Sequence, residues 1–231
     1  MNVDLNNPAL LPPEIHRKFG KIKNLFFEYE FSESLVENRE VIPLVRELNA
    51  YCEENRIIGI HYTRAIPESI KLNGLLSRCG REIRDTFIRE HGSMFTDDEL
   101  DIIRERWAIY FTSSQSDVRD GRVFFNFTES ELGRAGSKYL LGLYGGEQVS
   151  MCFELDEPIG CKLASIGEPL LVRCSLEPRF VETFTDYSWG KILVSSYHYM
   201  VNRNAYRIDQ DGMQNIPVKP EDIVEIKVIQ N

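Results

Sequence analysis

Residues 57–76, IIGIHYTRAIPESIKLNGLL, constrain this chain more than any other stretch. They pass from a β-branched run into a helical turn with no linker between them. Side chains alternate faces along a strand. On that basis Ile58, Ile60 and Tyr62 share one face, and His61 and Thr63 share the other. The strand therefore aims a histidine and a hydroxyl in one direction, two residues apart. Pro67 falls where a first helical turn begins, a position its fixed φ tolerates. Ile70 and Leu72 carry that turn to Gly74, which is suited to end a short helix.

Length and charge narrow the class. A chain of 231 residues suits one large domain, or a domain with an added arm. The predicted organisation is an N-terminal arm and helix over 1–55, packed on a single compact domain over 56–231. The net charge of −9 argues against a generic electrostatic binder of nucleic acid, but leaves room for a local basic groove. Cys52, Cys79, Cys152, Cys161 and Cys174 form no CxxC pair, and the histidines lack zinc-site spacing. Reduced thiols and a cytoplasmic location are expected, with no metal. The first residues lack the basic start and apolar core of a signal peptide. No apolar run reaches the ~20 residues of a membrane span.

Along the chain, Asn-Asn-Pro and Pro-Pro within residues 1–20 predict an extended arm. A helix follows from about Pro43 to Glu54, with Val45, Leu48 and Tyr51–Cys52 at helical spacing. Residues 78–106 predict two helices broken at His91-Gly92-Ser93. Thr96-Asp97-Asp98-Glu99 fits a capping box for the second. Arg78, Arg81, Arg84 and Arg89 lie there, either along a phosphate groove or on a solvated amphipathic pair. Residues 107–112 (WAIYFT) and 121–128 (GRVFFNFT) predict strands.

A helix capped by Thr128-Glu129-Ser130-Glu131 comes next, with Leu132, Ala135, Tyr139, Leu140 and Leu143 on its apolar face. Gly145-Gly146 ends it. A strand is predicted over 147–155, opened by Glu147. Glu168 opens a second such stretch and is the rival carboxylate, although a turn residue is the simpler role. A helix over 183–201 packs Trp189, Ile192, Leu193 and Tyr197, with His198 structural. Residues 218–229 close the chain as a strand, with Val224, Ile226 and Val228 on one face.

The opening stretch resembles the first motif of the ADP-ribosyltransferase superfamily. There an early strand ends in His-x-Thr or His-x-Ser, and a short helix follows with a pattern close to Ile-x-x-x-Gly-Leu. The matching residues are His61, Thr63, Ile70, Gly74 and Leu75. The second motif of that superfamily is a strand aromatic before a Ser/Thr-rich turn, resembled by Tyr110 or by Phe124 or Phe125. The latter pair stands just before the next helix, where compact members place it. Gly145-Gly146-Glu147 resembles the third motif, whose Glu is the catalytic carboxylate. The order of the three is more specific than any one. The resemblance spans roughly 57–177, with a closing strand near 222–229.

The resemblance implies an α+β fold, an ADP-ribosyltransferase-like split β-sandwich with a helical insertion and an N-terminal helical arm. It implies NAD as co-substrate and no metal. Glu147 and His61 would be catalytic. His61, Tyr62, Thr63, Arg64 and Gly74 would bind the cofactor, with Phe124, Phe125 or Tyr110 on the nicotinamide ring. Arg78, Arg81 and Arg84 would meet the acceptor. Breaking the nicotinamide–ribose bond builds oxocarbenium character, as in glycoside cleavage, so a fixed anion is needed there.

The chain departs from pattern in lacking a clear His-Tyr-Glu set, an Arg-Ser-Glu set, and the Gln/Glu-x-Glu pair of arginine-modifying toxins. The acceptor is therefore RNA, DNA or protein, with RNA slightly favoured. Stand-alone transferases of this kind resemble toxin modules and phage-defence effectors that work with an antitoxin or chaperone partner. An NAD glycohydrolase on the same fold and a catalytically inactive binding domain are the alternatives.

Overall fold

The computed structural model describes residues 1–230. The chain opens with β1 (Asn2–Val3), α1 (Pro13–Lys21), α2 (Leu25–Glu28), α3 (Ser32–Val36) and α4 (Ile42–Glu53). Then come β2 (Arg56–Ala65), α5 (Pro67–Asn73), α6 (Gly80–His91), α7 (Asp97–Tyr110), α8 (Ser113–Arg119) and β3 (Val123–Asn126). The C-terminal part holds α9 (Ala135–Gly142), α10 (Glu147–Ser150), α11 (Pro158–Ala164), β4 (Glu168–Leu176), β5 (Glu182–Thr183), α12 (Ser188–Val201), β6 (Asp211–Gln214) and β7 (Ile223–Val228). The fold is α+β. The strand order is β5-β6-β3-β2-β4-β7, with β1 on β2. All seven strands belong to one sheet, where a split sandwich was expected.

The chain forms two compact units. The first comprises 1–60, 124–130 and 175–213. Its helical centre is α12 packed on α4 and α3. Gly190 makes that packing close, since a Cβ there would stand 1.9 Å from the Val45 carbonyl oxygen. The extended arm expected over 1–20 is instead largely helical. Pro12 and Pro13 start α1 rather than prevent helix, because an N-terminal turn has no use for their missing N–H groups. That helix buries Ile15 and Phe19, and the Phe19 ring stacks on Tyr197 at 3.9 Å. His198 is fully buried. Its Nδ1 lies 2.9 Å from Ser32 Oγ and its Nε2 lies 3.1 Å from the Tyr29 carbonyl oxygen, the structural role expected of it. In this unit Ile60 of β2 faces Asn126 of β3, antiparallel, and Glu182 of β5 faces Met213 of β6.

The second unit comprises 61–123, 131–174 and 214–231. Phe87, Ile103, Trp107, Val149, Phe153 and Leu163 are part of its core. The paired helices α6 and α7 break at Gly92, as predicted, and Thr96 and Glu99 form the capping box. The strand expected over 107–112 is the end of α7 instead. Ile103 and Trp107, four apart, are both buried, so helical spacing outweighs the β-propensity of WAIYFT. The helix expected from Thr128 is confined to α9.

The strand expected over 147–155 is also overturned. Gly145 and Gly146 have φ of 87° and 61°, and the chain turns straight into α10. Gln148, Val149 and Ser150 are consecutively buried, which a half-exposed strand would not allow. β4 pairs antiparallel with β7 from Leu170–Val228 to Cys174–Ile223. No helix among the described residues is long and apolar enough to cross a membrane.

Candidate active site

The C-terminal end of β2 fixes a turn that sequence alone connects to it only weakly. Arg64 forms a parallel bridge with Tyr144, and the Gly145 N–H donates to the Arg64 carbonyl at 3.4 Å. The Arg64 side chain strengthens the same junction. Its Nε donates to the Leu141 carbonyl at 3.0 Å and its Nη1 to the Gly167 carbonyl at 2.9 Å. Burial lowers the Arg64 pKa, and Glu168 opposes that shift. Thus His61, Thr63 and Arg64 sit on the strand that holds residues 144–145, directly before Glu147. His61 is half-buried, and Thr63 is 9% exposed.

Gly74 closes α5 with φ of 71°, and a Cβ there would stand 1.9 Å from the Val218 carbonyl oxygen. Leu75 then bridges to Val218. A glycine is required at this junction.

Glu147 is the first residue of α10. Its Oε2 accepts from Arg119 Nε at 2.8 Å, and Arg119 also donates to Gln115. Beside this pair, Asp120 Oδ1 accepts from the Gly80 N–H at 2.8 Å and from Gln148 Nε2 at 3.0 Å. The Gln148 amide oxygen accepts in turn from Arg84 Nη1 at 3.0 Å. Arg84 also lies 4.3 Å over the Phe111 ring. Burial lowers its pKa, and Asp120 opposes that shift. The geometry fixes one carboxylate at Glu147 and connects its neighbour, Gln148, to a desolvated guanidinium.

The other expected residues are distributed unevenly. Tyr62 is buried on β2. Tyr110 ends α7 rather than lying on a strand, and packs edge-on against Phe111 at 5.0 Å. Phe124 and Phe125 lie on β3, both in the first compact unit. Phe124 is 37% exposed, whereas Phe125 is core, 3.0 Å from where a Gly59 Cβ would stand. The Arg78 carbonyl accepts from the Gly121 N–H at 3.0 Å. Arg81 and Arg84 lie one helical turn apart on α6 and line one cleft. Glu168 is exposed and opens β4, the strand position that made it the rival, rather than standing in a turn.

Sequence reasoning missed Arg119, Asp120 and Gln148, which carry no motif. It also missed Asp209 and Asp211. Asp209 accepts from Thr128 Oγ1 at 3.1 Å and from Ser130 Oγ at 2.7 Å. Asp211, on β6, accepts from Asn126, the residue opposite Ile60 in the same unit. Partial loss of hydration and the nearby Asp209 charge raise the Asp211 pKa. The Asp-x-Asp spacing was the available signal.

Among the described residues no three His, Cys, Asp or Glu side chains gather as a metal site. Comparison with known proteins finds no matching family model, no matching curated protein and no matching solved structure.

Proposed function

We propose that this protein is an NAD-dependent ADP-ribosyltransferase acting on a macromolecular acceptor. The supporting observation is the Arg64–Tyr144 bridge, which sets the His61–Thr63 strand beside the Gly145-Gly146-Glu147 turn although 80 residues of sequence separate the bridged positions. A histidine, a hydroxyl and a fixed carboxylate on joined backbone segments suit the cleavage of a ribosyl bond. The carboxylate stabilises positive charge developing on the sugar. His61 and Thr63 hydrogen-bond the cofactor, and Gly146, at which an added Cβ would meet nothing within 4 Å, leaves the turn before Glu147 without a side chain.

The test is transfer from labelled NAD to separate pools of RNA, DNA and cell protein, with Glu147→Gln alongside. Label in one pool, lost in Glu147→Gln, supports the proposal and names the acceptor. Free ADP-ribose without labelled polymer makes the protein a hydrolase. Intact NAD with folded protein refutes the proposal and favours a binding domain.

A further inference from the structure

The helix pair α6–α7 carries a cleft of about 390 Å³ lined by Arg81, Arg84, Asp85, Ile88, Arg104 and Trp107. That volume falls in the range of small-molecule sites and exceeds what a lone inorganic anion fills. Three guanidinium groups from two helices line it against one carboxylate. The outer two are already weakly engaged. Arg81 lies 3.9 Å from Asp85, both well exposed, and Arg104 lies 2.9 Å from Asp101. Pairs of that exposure hold their charges loosely.

Arg84 is different. It is half-buried, and its hydrogen bonds go to the neutral carbonyl and side-chain oxygens of Gln148. Among the described residues no carboxylate lies within ion-pair distance of it. Asp120 and Asp85 support the charge only through space, and burial still outweighs them and lowers its pKa. The Phe111 ring beneath it and the Gln148 bonds hold the fork in place, so the group is preorganised. Ile88 and the fixed Trp107 ring, whose N–H donates to the Val149 carbonyl at 2.9 Å, add apolar walls.

We infer that this cleft binds a nucleoside phosphate, its phosphate on Arg84 and flanked by Arg81 and Arg104, its base and sugar against Ile88 and Trp107. The ligand is either a free nucleotide or one unit of an RNA strand, since both present the same chemistry. The net charge of −9 makes the site local rather than a consequence of general basicity. The RNA form of the inference rests on the acceptor side of the proposed transferase, but its test uses no NAD and reads no turnover, so either can fail without the other.

Equilibrium dialysis without NAD, at low salt, tests it with AMP, inorganic phosphate and a single-stranded RNA decamer. AMP or the decamer binds, and binding weakens by about tenfold or more in Arg84→Gln, as expected for loss of a charge-assisted contact. The exposed pair Arg81→Ala/Arg104→Ala weakens it as well and guards against a folding defect in Arg84→Gln. AMP binding that the decamer competes away identifies the strand as the source. AMP binding without competition identifies free nucleotide. Inorganic phosphate binding as tightly as AMP, affinity unchanged in Arg81→Ala/Arg104→Ala, or no binding of either nucleotide ligand overturns the inference.

Discussion

Arg119 Nε lies 2.8 Å from Glu147 Oε2 and ties the last residue of α8 to the first residue of α10. The guanidinium is 15% exposed and the carboxylate 39%. Solvent screens a pair of that exposure, so a double-mutant cycle of Glu147→Gln with Arg119→Met gives a coupling of about 0.5–1 kcal/mol. If Glu147 stabilises the ribosyl cation, Glu147→Gln lowers NAD turnover by about 100-fold or more. Denaturant titration and product analysis on one preparation separate the two effects. A fall in turnover no larger than the loss of folded protein removes Glu147 from the chemistry.

Gly74 and Gly121 give a matched pair of backbone tests. Both have positive φ, 71° and 66°, so alanine is conformationally strained at each. Only Gly74 also faces main chain, with the Val218 oxygen 1.9 Å from where an added methyl would stand, while at Gly121 the nearest atom is 4.0 Å away. Gly121→Ala costs about 1 kcal/mol. Gly74→Ala costs more, about 3 kcal/mol or above, because the Leu75–Val218 bridge must part. Urea midpoints rank the two, and equal midpoints contradict the Val218 contact.

Local punctuation made β2, α5 and the α6–α7 break legible. Pro67, Gly74, Gly92 and the Thr96 cap each act within a few residues. The errors arose where distant packing decides. WAIYFT favours strand locally, but the burial of Trp107 in the second unit's core keeps it helical. Glu147 suggested a strand opening because alternating apolar residues follow it. The positive φ of two successive glycines, and a Ser150 hydroxyl donating to the Gly146 carbonyl at 2.7 Å, make a helical turn there instead. The Asp211–Asn126 contact joins residues 85 apart, and nothing local announces it.

His198 makes stability depend on pH. Burial lowers its pKa below the ordinary 6.5, while its bonds to backbone carbonyls oppose that shift. The unfolded chain therefore takes up a proton before the folded one does. Stability is fully present above about pH 6.5 and falls as the pH drops from there toward the folded pKa. His91, also lowered by burial, adds to the same slope. Urea unfolding at pH 7.5 and 5.5 shows a lower midpoint at 5.5. His198→Gln, whose side chain does not titrate, flattens the difference even though it lowers stability at both values. An unchanged slope in that variant assigns the pH dependence elsewhere.

Asp211 acts in the opposite sense. Partial loss of hydration at its carboxylate and the charge of Asp209 raise its pKa above the ordinary 3.8. The folded chain thus holds this proton to higher pH than the unfolded chain. Its contribution favours folding at low pH and is lost as pH rises through the folded pKa, so at neutral pH the ionised group destabilises. Asp211→Asn removes the charge but keeps an amide oxygen to accept from Asn126. The side chain lies at an exposed position, which limits the gain to about 1–2 °C in Tm at pH 7.5. The gain shrinks at pH 4.5, where the wild-type carboxyl is closer to protonated. A Tm that falls at pH 7.5 means the carboxylate is stabilised by its neighbours rather than strained by them.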